Sequence, residues 1–566
     1  MEEFLLQVYN ILIYGMSVLL FVSIYREFSR RFTDMTKAGG HSGIHQSGEQ
    51  NEAMLASPPT LGQALVNLFQ RQTLIQIAKD MLLMALVNTL MALLSSQTSG
   101  GLERYMTAYL PMMGVMLMLF TFTEATGGSR IFATIIGILI LTGVCLQNLL
   151  SFSLASISLD ETVMFSVISM ALAIAGAFVL YFLLHIISRK KAYIILNAAL
   201  LVLYLLLLVL GSRINGTKAW LVIGGISLQL TELCKVISLI IFGMVFSDKE
   251  HPPLHSLLRA LVTLGINGVC LALVNELGTL CLIGLAFVLM AFMSQPKLKH
   301  LMLVTAALLV ICVFALFLCY QCYQIENPPA AATEAVTETA TEAVTETATE
   351  AATGVSTEAA TETAAEDTGK KEDKLSITGL GAKIWTKFDE RLSVYLHPED
   401  ADPLDDAYQI DQSLKALSLS SWFGSGYNWR VPVMESDYVF TFLVLKMGTI
   451  YGILILILLT LMLLIGMQTA LTCKNDMISF VGMSFILSLA FQSMISAASS
   501  TGSFMVVGLP FCFLGAGGTS AVTNYLMAVF VIYTTGHQKL PQPKAQTVPQ
   551  QEQVRPAARK TRKERN

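Results

Sequence analysis

The chain reads as an all-α polytopic membrane protein, on three grounds. Of its 566 residues 54% are hydrophobic and only 13% charged, where a soluble domain carries about a quarter charged. The apolar residues gather into runs of roughly 20, enough to cross a ~30 Å hydrocarbon core. The Lys and Arg clusters fall on alternate connections, as topology signals do. Mean hydropathy is +0.62, and the ~10-residue alternating strands of a closed barrel are absent.

The runs place about thirteen spans, near 4–25, 75–96, 104–124, 130–151, 162–187, 192–211, 220–246, 256–274, 277–293, 299–322, 438–467, 477–498 and 517–535. The first has no basic leader and no clear cleavage site, so it reads as a retained anchor. Arg26, Arg30, Arg31 and Lys37 follow span one, and Arg189, Lys190 and Lys191 follow span five. Lys249 and Arg259 follow span seven, Lys297 and Lys299 span nine, and Lys474 span eleven. Arg559, Lys560, Arg562, Lys563 and Arg565 lie beyond the last span. All these loops share one side when the N-terminus is outside and the C-terminus cytoplasmic.

Five segments follow from this reading. Residues 1–129 form an N-terminal extension with about three spans, and 130–322 the first seven spans of a core. Residues 323–437 form a large extracellular loop, 438–535 the last three spans and 536–566 a basic cytoplasmic tail. In the loop, 330–370 is low in complexity, with the octet EAVTETAT in tandem at 334–341 and 342–349. It has almost nothing to bury and reads as a disordered anionic spacer. The tail suits anionic lipid, a cytoplasmic partner or plain solvation. Nucleic acid is not among the expected partners.

The nine cysteines lie mostly in apolar runs, where they act as small hydrophobes. Cys319 and Cys322 form a C-x-x-C near a span end, readable as a redox pair or as two packed thiols. The eight histidines make no metal set. His41/His45 and His251/His255 read as solvated loop residues, the second pair flanking Pro252-Pro253.

Four clusters carry chemistry. NGTKAWLVIGGISLQLTELCK (215–235) puts Lys218 and Trp220 in an outer loop, then Gln229, Glu232 and Lys235 in a span. Glu232 and Lys235 are three apart and share a helix face, as a structural ion pair or a substrate contact. NELGT (275–279) leaves Glu276 at the outer end of an apolar segment, as a site acid or a helix cap. The stretch 408–448 reads YQIDQSLKALSLSSWFGSGYNWRVPVMESDYVFTFLVLKMG. It holds Gln412, Ser413 and Lys415, a turn with Gly424 and Gly426, then Arg430, Pro432 and the acid Asp437 beside a hydrophobic helix. Glycines let the backbone approach a ligand, and Arg430 and Lys415 suit a pyrophosphate. Asp437 can accept a proton. The other reading of this cluster is a folded extracellular cap. GLPFCFLGAGGTSAVTNY (508–525) interrupts apolar sequence with Pro510, Gly517 and Gly518 ahead of Ser520, as a cavity wall or a kinked helix start.

These clusters, in this order over about residues 130–535, resemble the SEDS family, the FtsW/RodA/SpoVE group of bacterial membrane proteins. The resemblance implies ten spans with a large outer loop between the seventh and eighth, which the chain reproduces from residue 130 with three extra spans ahead. It implies a peptidoglycan glycosyltransferase in the bacterial plasma membrane that joins lipid II, usually beside a class B penicillin-binding protein. It assigns the essential acid to Asp437. The motif Gln falls on Gln229 and the Glu–Lys pair on Glu232 and Lys235. Gln412, Ser413, Gly424, Gly426 and Pro432 match in the loop, and Gly508, Pro510, Gly517, Gly518 and Ser520 in the last motif. No cofactor is required, and a divalent cation (Mg2+ or Mn2+) is compatible. The chain departs from the family pattern at Ala219, Leu230-Thr231, Glu276, Leu445-Lys446 and Gly515-Ala516. The expected chemistry has Asp437 deprotonate an acceptor hydroxyl while Lys218, Lys415 or Arg430 stabilises a departing pyrophosphate. A lipid II flippase and a non-catalytic scaffold for the penicillin-binding protein are the rival readings.

Overall fold

The computed structural model describes residues 71–151, 158–214, 217–223, 226–274, 276–294, 298–327, 377–396, 406–425, 427–473, 475–515 and 518–535. The span expected near 4–25, the Thr/Glu/Ala segment and the basic tail lie outside them. Two helices of the expected extension are described, α1 (Arg71–Ser95) and α2 (Gly101–Thr126). The core then runs α3 (Arg130–Ser151), α4 (Leu159–Ile186) and α5 (Arg189–Leu210). A three-stranded antiparallel sheet follows: β1 (Ser212–Ile214), β2 (Thr217–Ile223) and β3 (Ile226–Gln229). Next come α6 (Leu230–Phe246), α7 (Pro253–Leu273), α8 (Leu277–Ser294) and α9 (Leu298–Glu326). The large loop contributes α10 (Ile377–Leu396) and α11 (Asp406–Ser418). The chain closes with α12 (Val439–Met447), α13 (Thr449–Thr472), α14 (Asp476–Ser500) and α15 (Gly518–Thr535).

Nine helices among the described residues are long and apolar enough to cross a membrane. Two of them, α3 and α14, have 89% of their apolar window buried, against 22% for α5, so these two form the axis of the bundle. Small residues let the axis pack closely: a side chain on Gly243 of α6 would strike the Val481 backbone of α14 at 2.6 Å. The extension is joined to the core by Asn148, which donates to the Gly101 carbonyl at 2.9 Å. Arg189, Arg259 and His251 all contact Asp248, and Lys249 pairs with Asp476 at 2.5 Å. Connections after three different predicted spans thus meet at one end of the bundle.

Two predicted spans differ. The segment 220–246 is not one helix: residues up to Gln229 form β2 and β3, and the helix starts at Leu230. Ile223 pairs with Ile226 across the glycines 224 and 225, a composition suited to a two-residue reversal. The β-branched and aromatic residues before them favour strand. The second difference is at 438–467, which breaks at Gly448 into α12 and α13. Gly448 has φ 94° and ψ 163°, a conformation essentially closed to other residues. A side chain there would run into the Gly424 nitrogen and the Trp422 carbonyl, so the large loop packs directly on the break.

Replacing Gly448 by alanine is therefore expected to destabilise the protein by about 1–3 kcal/mol. Thermal unfolding of the detergent-solubilised protein measures it, and an unshifted transition would contradict this account of the break.

Candidate active site

The main chain around Asp437 is irregular, and polar side chains from α3 and α14 hold it. Residues 432–438 form successive turns, with Val433 at φ 55°. The Asp437 carbonyl accepts from Ser496 at 3.3 Å and Ser500 at 3.2 Å, both on α14. Gln147 of α3 donates to the Glu435 carbonyl at 3.3 Å and to the Leu514 carbonyl at 3.0 Å, tying these two loops together. Ser413 of α11 contacts Thr441 at 2.6 Å and donates to the Ser500 carbonyl at 2.7 Å. Asp437 itself is half-buried, and its Oδ1 accepts from Ser436 at 3.0 Å.

A cation from the large loop converges on this acid. Arg391 Nη1 of α10 donates to the Val507 carbonyl at 3.2 Å. Its Nη2 and the Asp437 Oδ2 each lie 3.7 Å from the point where a side chain on Gly508 would begin. Gly508 has φ 70° and carries none, so both groups face the same small space. Glu276, between α7 and α8, closes the neighbourhood. Burial pushes its carboxyl above the ordinary range, while the Lys387 ammonium and a hydrogen bond from Thr279 act in the opposite sense. The backbone at Gly278 abuts the Val507 carbonyl, so the NELGT motif packs on the loop that Arg391 holds.

Beneath lies the ion pair. Lys235 donates to Glu232 Oε2 at 2.7 Å, and both side chains are 1% exposed. Lys235 also donates to Gln492 Oε1 at 2.8 Å, whose amide donates to the Pro510 carbonyl at 2.9 Å. Thr523 of α15 donates to Glu232 at 3.0 Å. The pair thus joins α6, α14, α15 and the loop before α15.

The other expected contacts lie apart from Asp437. Lys218 is drawn to the end of α5, donating to the Leu208 carbonyl at 2.6 Å, while its amide donates to Val274. Trp220 pairs with Gln229 across β2 and β3, and the Gln229 amide donates to Thr519 at 3.1 Å. Lys415 forms an exposed pair with Asp411 at 2.5 Å, and Gln412 donates to the same carboxylate. Arg430 is exposed, and Pro432 opens the turns that lead to Asp437. Gly424 (φ 97°) backs onto the Lys446 carbonyl. Gly518 packs on Phe165, and Ser520 accepts from Asn524 at 3.2 Å. Gly426 and Gly517 lie outside the described residues. At a family departure, Lys446 reaches back to the loop, donating to the Tyr427 carbonyl at 2.9 Å and to Asn428 at 2.6 Å. Among the described residues no three His, Cys, Asp or Glu side chains group as metal ligands.

Sequence reasoning missed Arg391 and Lys387 of α10, Gln147, and Gln492, Ser496 and Ser500. A signal existed for two sets. Lys383, Lys387 and Arg391 are spaced by four, as are Gln492, Ser496 and Ser500, and each spacing makes one helix stripe.

Fold and site define a multi-pass helical membrane protein with an acid and an arginine gathered at one end of the bundle. A family model described as cell cycle protein, FtsW/RodA/SpoVE, matches residues 129–328 and 381–539, and the chain belongs to that family. Stage V sporulation protein E of Bacillus subtilis (strain 168) is 36% identical over 149 residues, 25% of this chain and 40% of its own length. The chain thus spans two fifths of that relative. A protein of Legionella pneumophila named probable peptidoglycan glycosyltransferase FtsW is 23% identical over 346 residues, 58% of this chain and 71% of its own. Among solved structures, a chain from work on the structural coordination of polymerization and crosslinking by a peptidoglycan synthase complex is 19% identical. It covers 72% of this chain and 97% of itself, with a TM-score of 0.48. The rod shape determining protein RodA of Thermus thermophilus is 17% identical, with 73% and 98% covered and a TM-score of 0.41.

Because the ion pair is enclosed, Lys235→Met should cost about 3–5 kcal/mol by stranding the Glu232 carboxylate. The double change Glu232→Gln/Lys235→Met should recover part of that loss. Melting temperatures of the three purified proteins decide it: a double variant less stable than the single one would show that the pair is not the source of the loss.

Proposed function

We infer that this protein is a peptidoglycan glycosyltransferase that polymerises lipid II on the outer face of the plasma membrane, with the N-terminus outside and the C-terminus cytoplasmic. The observation that carries this reading is the convergence of Asp437 Oδ2 and Arg391 Nη2 on the space over Gly508. An anionic base and a guanidinium at one spot suit a reaction that takes a proton from one partner while a diphosphate departs from the other.

Asp437 accepts the proton of the acceptor's GlcNAc 4-hydroxyl as that oxygen attacks C1 of the donor's MurNAc. The bond from C1 to the diphosphate oxygen breaks, and undecaprenyl pyrophosphate leaves with the electron pair. A single displacement converts the donor's α-linkage to β. Arg391 meets the charge that builds on the leaving oxygen, a role suited to a bidentate planar cation. The Glu232–Lys235 pair acts beneath, fixing the loop at Pro510 rather than touching sugar. Apolar grooves between helices hold the lipid tails. A class B penicillin-binding protein would crosslink the product strand.

Purified full-length protein incubated with lipid II, alone and with its penicillin-binding partner, tests the reading by gel analysis of glycan. Asp437→Asn is expected to lose about 10²–10⁴-fold in polymerisation with an unchanged melting temperature, and Arg391→Gln about 10²-fold. Glycan at the wild-type level from Asp437→Asn would sink the mechanism. Movement of lipid II across liposomes without polymer would favour a flippase. Full complementation of cells by the Asp437 variant would favour a scaffold.

A further inference from the structure

At the opposite end of the bundle from Asp437, a cavity of about 680 Å³ opens between α5 and the connection from α6 to α7. Its cations come from two helices: Arg189 and Lys190 from the start of α5, and Arg259 from α7. His251 and His255 stack on its wall with ring centroids 4.9 Å apart. Both histidines are exposed, as the sequence reading expected, although His255 lies in the first turn of α7 rather than in a loop. Two acids share the wall, Asp248 and Glu250. Asp248 is 4% exposed and already committed, lying 3.6 Å from Arg189, 3.5 Å from Arg259 and 2.9 Å from His251. It braces the cations in place. Arg259 is further fixed over the Tyr193 ring at 4.8 Å. Three permanent cations against two acids leave a positive surplus, with two imidazoles to add donors.

The opening has an apolar flank. Ile194 lines the cavity and is exposed, and Leu201 and Leu205 further along α5 are exposed as well. They continue one face of the helix at spacings of seven and four. A positive cavity at a helix end beside an exposed apolar stripe fits an amphiphile better than a wholly soluble anion.

We propose that the cavity bounded by Arg189, Lys190, His251, His255 and Arg259 binds a phosphate-bearing anion, the headgroup of an anionic phospholipid whose chains lie along α5. The shared chemistry is the phosphate monoanion, which free inorganic phosphate also offers. The site depends neither on the glycosyltransferase reading nor on which leaflet this end faces. Its chemistry is recognition by guanidinium and ammonium donors, with no bond made or broken.

Native mass spectrometry of the delipidated full chain in detergent tests this, with phosphatidylglycerol, phosphatidylcholine and inorganic phosphate added separately and in competition. Phosphatidylglycerol should bind about tenfold more tightly than phosphatidylcholine, and Arg189→Gln/Lys190→Gln should abolish that preference. Since Arg189 also braces Asp248, Lys190→Gln/His255→Gln is measured beside it and should weaken the preference without lowering the melting temperature. Displacement of the lipid by millimolar phosphate assigns the site to the phosphate group alone; resistance to displacement assigns it to the lipid. Equal binding of the two lipids, or an undiminished preference in both variants, overturns the proposal.

Discussion

Backbone that leaves helical geometry inside a membrane protein must find hydrogen bonds from its own side chains, because lipid offers none. The end of this bundle that carries Asp437 is built around that constraint. The turns at 432–438 and the run 501–515 are both irregular, and both carry the groups that matter. Gln147 reaches carbonyls in each, Ser496 and Ser500 reach the Asp437 carbonyl, and Gln492 reaches Pro510. Remove these bonds and the turns have unpaired carbonyls and no fixed position for the Asp437 carboxylate. The site's rigidity comes from α3 and α14, the most buried of the nine candidate spans, rather than from the loops that display it.

The Glu232–Lys235 pair belongs to the same framework. Two charges buried this deeply are rarely a net source of stability, since desolvation offsets most of their attraction. What the pair supplies is position. Lys235 orients Gln492, Gln492 fixes Pro510, and Thr523 ties Glu232 to α15. Helix α6 has 17 residues and rises only about 26 Å. Its first turn, with Glu232, is therefore near one boundary, directly under the loop it steadies.

How much of this was legible from the sequence followed physical range. Long apolar runs marked the helices, because hydrocarbon thickness fixes their length. Asp437 stood out as an acid next to an apolar run at the place where the family motif has its acid. The hairpin at 217–229 was hidden because its residues are as apolar as a span and only their β-branched character argued otherwise. The break at Gly448 was hidden because one glycine within apolar sequence looks like a helix packing site, and its φ depends on Gly424, which is distant in sequence. The cations singled out in the sequence have partners in the structure away from Asp437. Lys218 donates to a helix-end carbonyl and Lys415 to Asp411. Arg391 lies beyond the 330–370 spacer, in a stretch to which the sequence reading gave no role, and only its four-residue spacing from Lys387 set it apart.

That the guanidinium arrives from the long loop has its own rationale under the proposed orientation. Short outer loops are kept poor in Lys and Arg, because positive residues there oppose correct insertion. A site that must receive a diphosphate on the outer face therefore cannot draw freely on the tight turns between spans. Long translocated segments escape that restriction. Helix α10 lies in such a segment and carries Lys383, Lys387 and Arg391 on one stripe. It packs along α9 through Trp385 against Tyr320, at 4.9 Å between ring centroids. The aromatic contact anchors the helix to the bundle, and the stripe then delivers positive charge to an acid-bearing surface that the spans themselves could not have furnished.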